Sequence, residues 1–198
     1  MNPQPFVDRV FARLSTAPDN YEFQHWNHDG RPTDEGFGLI QVADVDPERL
    51  VAAVLDVDSY VGNIDHVKEC RTIADDRFDG TTKKRFYQRI ELPMLGAVHH
   101  ELGIADLGER DGFRVVAWDV LRAETDALSA KQGFRSDYNQ GAWLVKPGVV
   151  GYALSSAPKR NDVGFLKWQA LTKGANAAAS AVVKGAISGM VAFSNRRS

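Results

Sequence analysis

The last third of the chain constrains the fold most strongly. Residues 138–146 alternate as a strand does, Pro147-Gly148 forms a turn, and residues 149–156 predict a second strand. One long helix is predicted after Pro158. Its middle, residues 174–189, is rich in alanine and glycine, whereas a helix closing a solid core normally carries leucine or isoleucine there. Such a helix either approaches a sheet closely or leaves room for something that is not protein.

The predicted helix has one apolar arc and an opposite polar face when its residues are placed 100° apart. The arc consists of Trp168, Leu171, Ala175, Ala178, Val182, Ala186, Gly189 and Phe193. Glycine inside a helix costs about 1 kcal/mol relative to alanine, so Gly174, Gly185 and Gly189 disfavour simple scaffolding. Two explanations stay open: close packing against a sheet, or a mobile lid that admits a ligand.

The rest of the pattern predicts an antiparallel sheet. Residues 5–16 predict a short helix, 21–27 and 36–43 two strands, and Asp46-Pro47-Glu48 the capped start of a second helix. Further strands are predicted over residues 67–74, 83–92, 97–106 and 113–121, and a loop or short helical turn over 122–133. Alternating strands bury one face, and a long amphipathic helix is its natural cover. We therefore expect an α+β chain with a curved antiparallel sheet wrapped around a long C-terminal helix, as a single domain over residues 1–198.

Composition and charge exclude several function classes. The net charge is -2 and the basic residues are scattered, which argues against nucleic-acid binding. A single cysteine, Cys70, rules out an intramolecular disulfide framework and suits a reducing compartment, so we expect a cytoplasmic location. Residues 1–17 lack the pattern of a secretory signal. No run of about 18 apolar residues occurs, so no transmembrane segment is expected.

No motif in the sequence compels catalysis or metal binding. Cysteine and histidine spacings typical of zinc sites are missing, as are G-x-S-x-G and H-E-x-x-H, and Gly36-Phe37-Gly38 is not a phosphate loop. We predict no catalytic residue, metal or cofactor. His99 and His100 face opposite sides of a strand, and His100 shares the apolar face. His100 is therefore either a cavity residue or a core histidine satisfied by a neighbour.

The element order and three local stretches resemble the START-like superfamily, also called SRPBCC or the helix-grip fold. The stretches are Asp46-Pro47-Glu48 running to Asp56 and Tyr60, residues 139–147 with Gly141, Trp143 and Pro147, and Tyr152 followed by Pro158 and the long helix. The resemblance covers residues 20–193. It implies a helix-grip fold that holds a lipid, sterol or polyketide between sheet and C-terminal helix. The chain departs from the pattern in the charged loop 159–162, which bears on the shape of the cavity entrance.

Three hypotheses follow for the function. The first is non-catalytic binding, with possible transport, of a lipid, sterol or other apolar small molecule. The second is a polyketide cyclase or dehydratase using His100, Tyr152 or Asp119, and the third is an interaction module with a filled interior. The candidate ligand-binding residues are Phe86, Ile90, Val98, His100, Leu102, Trp118, Tyr152, Trp168, Leu171, Ala175 and Val182. A lipid carrier would touch a membrane transiently, and the candidate tips are residues 93–95 and 163–166.

Overall fold

The computed structural model describes residues 1–14, 21–92 and 96–197. For Leu92 it describes the backbone only. Its helices are α1 (Gln4–Phe11), α2 (Pro47–Leu55), α3 (Arg122–Ala127), α4 (Arg160–Val163) and α5 (Phe165–Arg196). Its strands are β1 (Glu22–Trp26), β2 (Glu35–Gln41), β3 (Val67–Ile73), β4 (Lys83–Leu92), β5 (Gly96–Arg110), β6 (Phe113–Val120), β7 (Phe134–Lys146) and β8 (Val149–Pro158). The predicted first helix is shorter than expected, and its last residues, 15 and 16, lie outside the described residues. The predicted membrane-contact tip at residues 93–95 also lies outside them.

The strands form one curved antiparallel sheet in the order β1-β2-β8-β7-β6-β5-β4-β3. One short parallel pairing departs from this pattern: Val98 and His99 of β5 meet Phe134 and Arg135 of β7 beyond the end of β6. Consecutive hairpins account for β3 to β8, while β2 returns to pair with β8. Together with the long C-terminal helix, this confirms the predicted α+β helix-grip fold.

The second helix begins where the sequence predicts. The Asp46 carboxylate accepts hydrogen bonds from the backbone N–H groups of Glu48 and Arg49 at 3.0 and 3.2 Å, and Pro47 occupies the first helical position. These bonds satisfy donors that a helix start leaves unpaired. The buried side of α2 contacts the core through Leu50 and Val54.

The two faces of the sheet bury different helices. On the convex face, α1 packs Phe6 and Val10 against Phe37 and Leu144. On the concave face, α2 and the C-terminal part of α5 pack against a larger cluster that includes Trp118, Trp143, Val150, Ile187 and Met190. Because both faces of the central strands are covered, β6 is apolar almost continuously rather than alternating.

The packing of α5 differs from the predicted arc. Its buried ridge is Val183, Ile187, Met190 and Phe193, while residues 173–178 are all exposed and Val182 is 50% exposed. Leu171 and Thr172 are also buried, so α5 is packed on both sides of the exposed stretch 173–178, with the longer ridge in its C-terminal half. By length and composition α5 could also cross a membrane, contrary to the expectation from the sequence. That is weak evidence, because a helix with a ridge in the core passes the same test.

Close approach of α5 to the sheet depends on Gly38 of β2. A Cβ at Gly38 would lie 2.4 Å from Val183 Cγ1 and 2.8 Å from Tyr21 Cε2. The Tyr21 hydroxyl, packed beside this glycine, donates to the Ser180 carbonyl at 2.8 Å. By contrast, no atom lies within 4 Å of a Cβ added at Gly174 or Gly185. Close packing against the sheet is therefore the wrong explanation for these two helix glycines.

We expect Gly38→Ala to lower the free energy of unfolding by several kcal/mol, because the new methyl overlaps the Val183 side chain. Gly174→Ala is the matched control. It should leave stability unchanged or raise it by up to about 1 kcal/mol, since alanine favours the helix and meets no neighbour. Urea unfolding of both variants measures the difference. Equal stability of Gly38→Ala and the native protein would show that α5 does not depend on this contact.

Candidate ligand-binding cavity

A cavity of about 500 Å³ lies between the concave face of the sheet and α5. Strands β4 to β8 form its floor, α5 covers it, and the loop before β3 closes one side. Its size falls within the range of about 300–1,000 Å³ typical of small-molecule sites. Within the exposed stretch 173–178 of the covering helix, Ala175 lines this space.

Most of the predicted residues line this cavity. Those on its wall are Phe86, Ile90, Val98, Leu102, Trp118, Tyr152, Leu171, Ala175 and Val182. Two predicted residues are not on the wall. The indole N–H of Trp168 donates to the Pro158 carbonyl at 3.2 Å. His100 is fully buried, although it lies on the same face of β5 as Val98 and Leu102. Contact of the wall residues with a ligand stays a prediction.

The sequence interpretation missed the polar part of the wall. Gln88, Asn139 and Ser156 all line the cavity. The signal was available for Gln88, because it lies between Phe86 and Ile90 in an alternating strand and must share their face. Gln88 was left out because a polar side chain was not expected on the buried face. The contributions of Ile64 in the loop before β3 and of Met190 in α5 depend on tertiary packing and had no local signal.

Aromatic rings form the deepest part of the floor. The Tyr152 ring lies between the rings of Trp118 and Trp143, with centroid distances of 5.5 and 4.5 Å. A Cβ at Gly141 would lie 2.1 Å from Trp118 Cζ2, so only glycine lets the indole rest on this strand. The indole N–H of Trp118 donates to Asn139 Oδ1 at 2.9 Å. Packing on Gly141 and one hydrogen bond to Asn139 therefore fix the position of the Trp118 side chain.

A row of polar side chains crosses this floor. Gln88 pairs with His100 across β4 and β5, and Asn139 pairs with Ser156 across β7 and β8. His100 lies between the two pairs: its Nε2 is 3.1 Å from Gln88 Oε1 and 3.4 Å from Asn139 Nδ2. The neutral ring nitrogen can donate to the first or accept from the second but not both, and the shorter contact favours donation to Gln88. Its Nδ1 lies 2.8 Å from Ser136 Oγ. Both ring nitrogens of His100 thus have partners, as the core-histidine interpretation requires.

Burial keeps the ionisable groups of this region neutral. Burial, followed by the neighbouring His99, lowers the pKa of His100 to about 3. Burial raises the pKa of Tyr152 well above its ordinary value, and it raises the pKa of Cys70 to about 12. Cys70 is therefore a structural thiol rather than a nucleophile. Asp119 is remote from the cavity, since it lies on the opposite side of β6 from Trp118 and accepts from the Asn2 backbone N–H at 3.4 Å.

Among the described residues, no group of three or more histidine, cysteine, aspartate or glutamate side chains could hold a metal ion. The charged loop 159–162 forms α4 and adjoining turns. Asp162 of this segment pairs with Arg135 of β7 at 2.7 Å. The connection into α5 is thus tied to the start of β7, beside the cavity.

Comparisons with known proteins bear on the fold. No known family profile matches the sequence, and no curated protein matches it. A STAR-related lipid transfer protein from Xanthomonas axonopodis is similar in structure, at 16% identity and a TM-score of 0.69, over 92% of this chain and 97% of that one. Human STARD10 is similar at 14% identity and a TM-score of 0.73, over 100% and 82%. The chain has the START-like fold.

The START-like fold is shared with another kind of protein. The Zhui aromatase/cyclase of a Streptomyces species is similar at 12% identity and a TM-score of 0.53, over 89% of this chain and 96% of that one. At such identities the likeness establishes the START-like fold alone. The class of ligand must therefore be inferred from the side chains that line this chain's own cavity and from their charges.

The neutral state of His100 predicts acid sensitivity. Its pKa is about 3 in the folded protein and about 6.5 in an unfolded chain, so the unfolded state takes up the proton first. The stabilising contribution is fully present above about pH 6.5 and is lost as the pH falls towards 3. In His100→Gln, the free energy of unfolding should depend less on pH in this window, by up to about 1.4 kcal/mol per pH unit.

Denaturant unfolding between these pH values measures the slope, and His25→Gln is the control because His25 is exposed. An unchanged slope in His100→Gln would show that His100 is already protonated in the folded protein.

Proposed function

We propose that the protein reversibly binds an apolar small molecule, such as a lipid or sterol, in the cavity between the sheet and α5, and carries it without chemical change. The observation that supports this best is the small-residue cover over an aromatic and aliphatic floor. Ala175, Ala181 and Gly185 of α5 face the cavity and fill little of it. Leucine at these positions would close the space that the alanines and glycine leave.

Burial of apolar ligand surface would supply the affinity. Each 100 Å² removed from water contributes about 2.5 kcal/mol, before the cost of immobilising the ligand. Phe86, Leu102 and Trp118 provide apolar surface for such contacts. Exposure of residues 173–178 gives the helix few contacts to lose when a ligand enters beneath it.

The two other hypotheses have weaker support. Of the acid–base candidates, Asp119 lies outside the cavity and His100 is a fully buried, neutral ring, which leaves Tyr152 on the wall with a raised pKa. Neither His100 nor Tyr152 titrates near neutral pH, as efficient acid–base catalysis prefers. An interaction module would have a filled interior, and a cavity of about 500 Å³ counts against it.

We expect Ala175→Trp to abolish binding of the neutral dye Nile red, because the indole would occupy the cavity beneath α5. Ala177→Trp is the matched control, since Ala177 is exposed on the same helix and does not line the cavity. Dye fluorescence measures binding, and circular dichroism confirms that both variants fold. Equal dye binding by Ala175→Trp and Ala177→Trp would contradict the proposal.

Ligand exchange at a lipid surface is part of the proposed transport. Phe165 and Leu166 at the start of α5 are 49% and 80% exposed, and Arg160 lies over the Phe165 ring at 4.6 Å. Exposed apolar side chains beside a cation suit the interface of an anionic membrane. A cytoplasmic location stays a prediction.

We expect Leu166→Asp to reduce co-sedimentation with phosphatidylglycerol vesicles at least several-fold, because a carboxylate replaces the most exposed apolar side chain. Nile red binding in solution should not change, since Leu166 does not line the cavity. Ala170→Asp, on an exposed position of the same helix, controls for the added charge. If Leu166→Asp co-sediments as well as the native protein does, this tip has no part in the proposed transport.

A further inference from the structure

We propose that the ligand carries an uncharged hydrogen-bonding group, such as a hydroxyl, carbonyl or amide, that lies against the polar row of Gln88, Asn139 and Ser156. The cavity would therefore select neutral amphiphiles over anionic ones. This inference rests on the proposed function and names the chemical class of the ligand. It follows from the position of the row, its free hydrogen-bonding capacity and the charges around it.

The row lies in the middle of an otherwise apolar floor. On β4 and β5, the pair Ile90–Val98 precedes Gln88–His100, and the pair Phe86–Leu102 follows it. All the apolar members of these pairs line the cavity. On the other side of the floor, Asn139 and Ser156 stand next to Gly141 and Leu154. A bound molecule must therefore be apolar on both sides and polar where it crosses the row.

The row keeps unused hydrogen-bonding capacity. Among the described residues, the Gln88 amide nitrogen and the Ser156 hydroxyl have no hydrogen-bond partner, although Gln88 is only 8% exposed. Asn139 Oδ1 accepts from Trp118 and has a second lone pair. An apolar ligand group that covers these atoms would strip their water and leave them unpaired, at a cost of about 1–3 kcal/mol each. A ligand group that pairs with them avoids that cost.

The remaining atoms of the row are held in place by His100. Its Nε2 contacts Gln88 Oε1, which directs the Gln88 amide nitrogen away from the imidazole ring. Its Nδ1 pairs with Ser136 Oγ. Because burial lowers the pKa of His100 to about 3, this support carries no charge near neutral pH. His100 is thus a positioning residue for Gln88.

Among the described lining residues, no lysine or arginine is present to balance an anion. Apart from tyrosines, the ionisable residues among the described lining residues are Asp65 and His66, both in the loop before β3. A carboxylate or phosphate against Gln88 would lose its water without gaining a counter-charge. Burying an unpaired ion costs several kcal/mol, whereas a hydroxyl costs little when it is hydrogen-bonded.

Competition with Nile red at about pH 8 tests the inference on the native protein, with dodecan-1-ol and dodecanoate as matched probes, since the acid is fully ionised there. The alcohol should displace the dye at a concentration at least about tenfold lower than the carboxylate, a difference of about 1.4 kcal/mol. Gln88→Met should weaken alcohol binding about tenfold or remove the preference, because methionine keeps the volume and loses the amide.

Gln24→Met is the control, because Gln24 lies in β1 outside the cavity wall and should behave as the native protein. Ser156→Ala is a second test at the same row if Gln88→Met does not fold. Equal or tighter binding of dodecanoate, or an alcohol affinity unaffected by both row variants, would overturn the inference and leave the proposed function standing. Binding of neither the dye nor the probes would overturn both.

Discussion

The contact between α5 and β2 determines the rest of this structure. Gly38 lets Val183 and Tyr21 share one position on the sheet, and Tyr21 holds the helix through the Ser180 carbonyl. The ridge from Val183 to Phe193 then continues into the core. Leu171 and Thr172 are buried nearer the start of α5, and residues 173–178 between them and the ridge are exposed. The cavity lies beneath the small residues of α5 that follow Leu171.

The cavity combines an apolar wall with a polar centre that carries no charge. Trp118 shows how the two are connected: its ring packs on Gly141 and over Tyr152, while its N–H pairs with Asn139. His100 then connects Asn139 and Gln88 while remaining neutral. The Gln88 amide nitrogen and the Ser156 hydroxyl have no partner among the described residues, so the protein itself satisfies this polar row only in part.

The START-like fold was predictable because its elements are encoded locally. Alternation in β4 and β5, the Asp46 cap and the length of α5 each follow from nearest-neighbour chemistry. Most wall residues of the cavity followed from the same alternation, as Phe86 and Ile90 illustrate. Gln88 was missed although its register placed it between them, because a polar side chain was not expected on a buried face. Trp168 was placed on the wall by helical periodicity, but its indole bonds to Pro158 instead.

The sequence by itself determined the order of elements, the apolar face of β4 and β5 and the small side chains in the middle of α5. Only the tertiary structure decided which side of α5 meets the core, because Val182 and Val183 have the same hydropathy. Val183 is buried because it packs against Gly38, whereas Val182 is half exposed. It also decided that Gln88, His100, Asn139 and Ser156 form one row. These residues come from four strands far apart in the chain, and no local pattern relates them until the sheet sets their register.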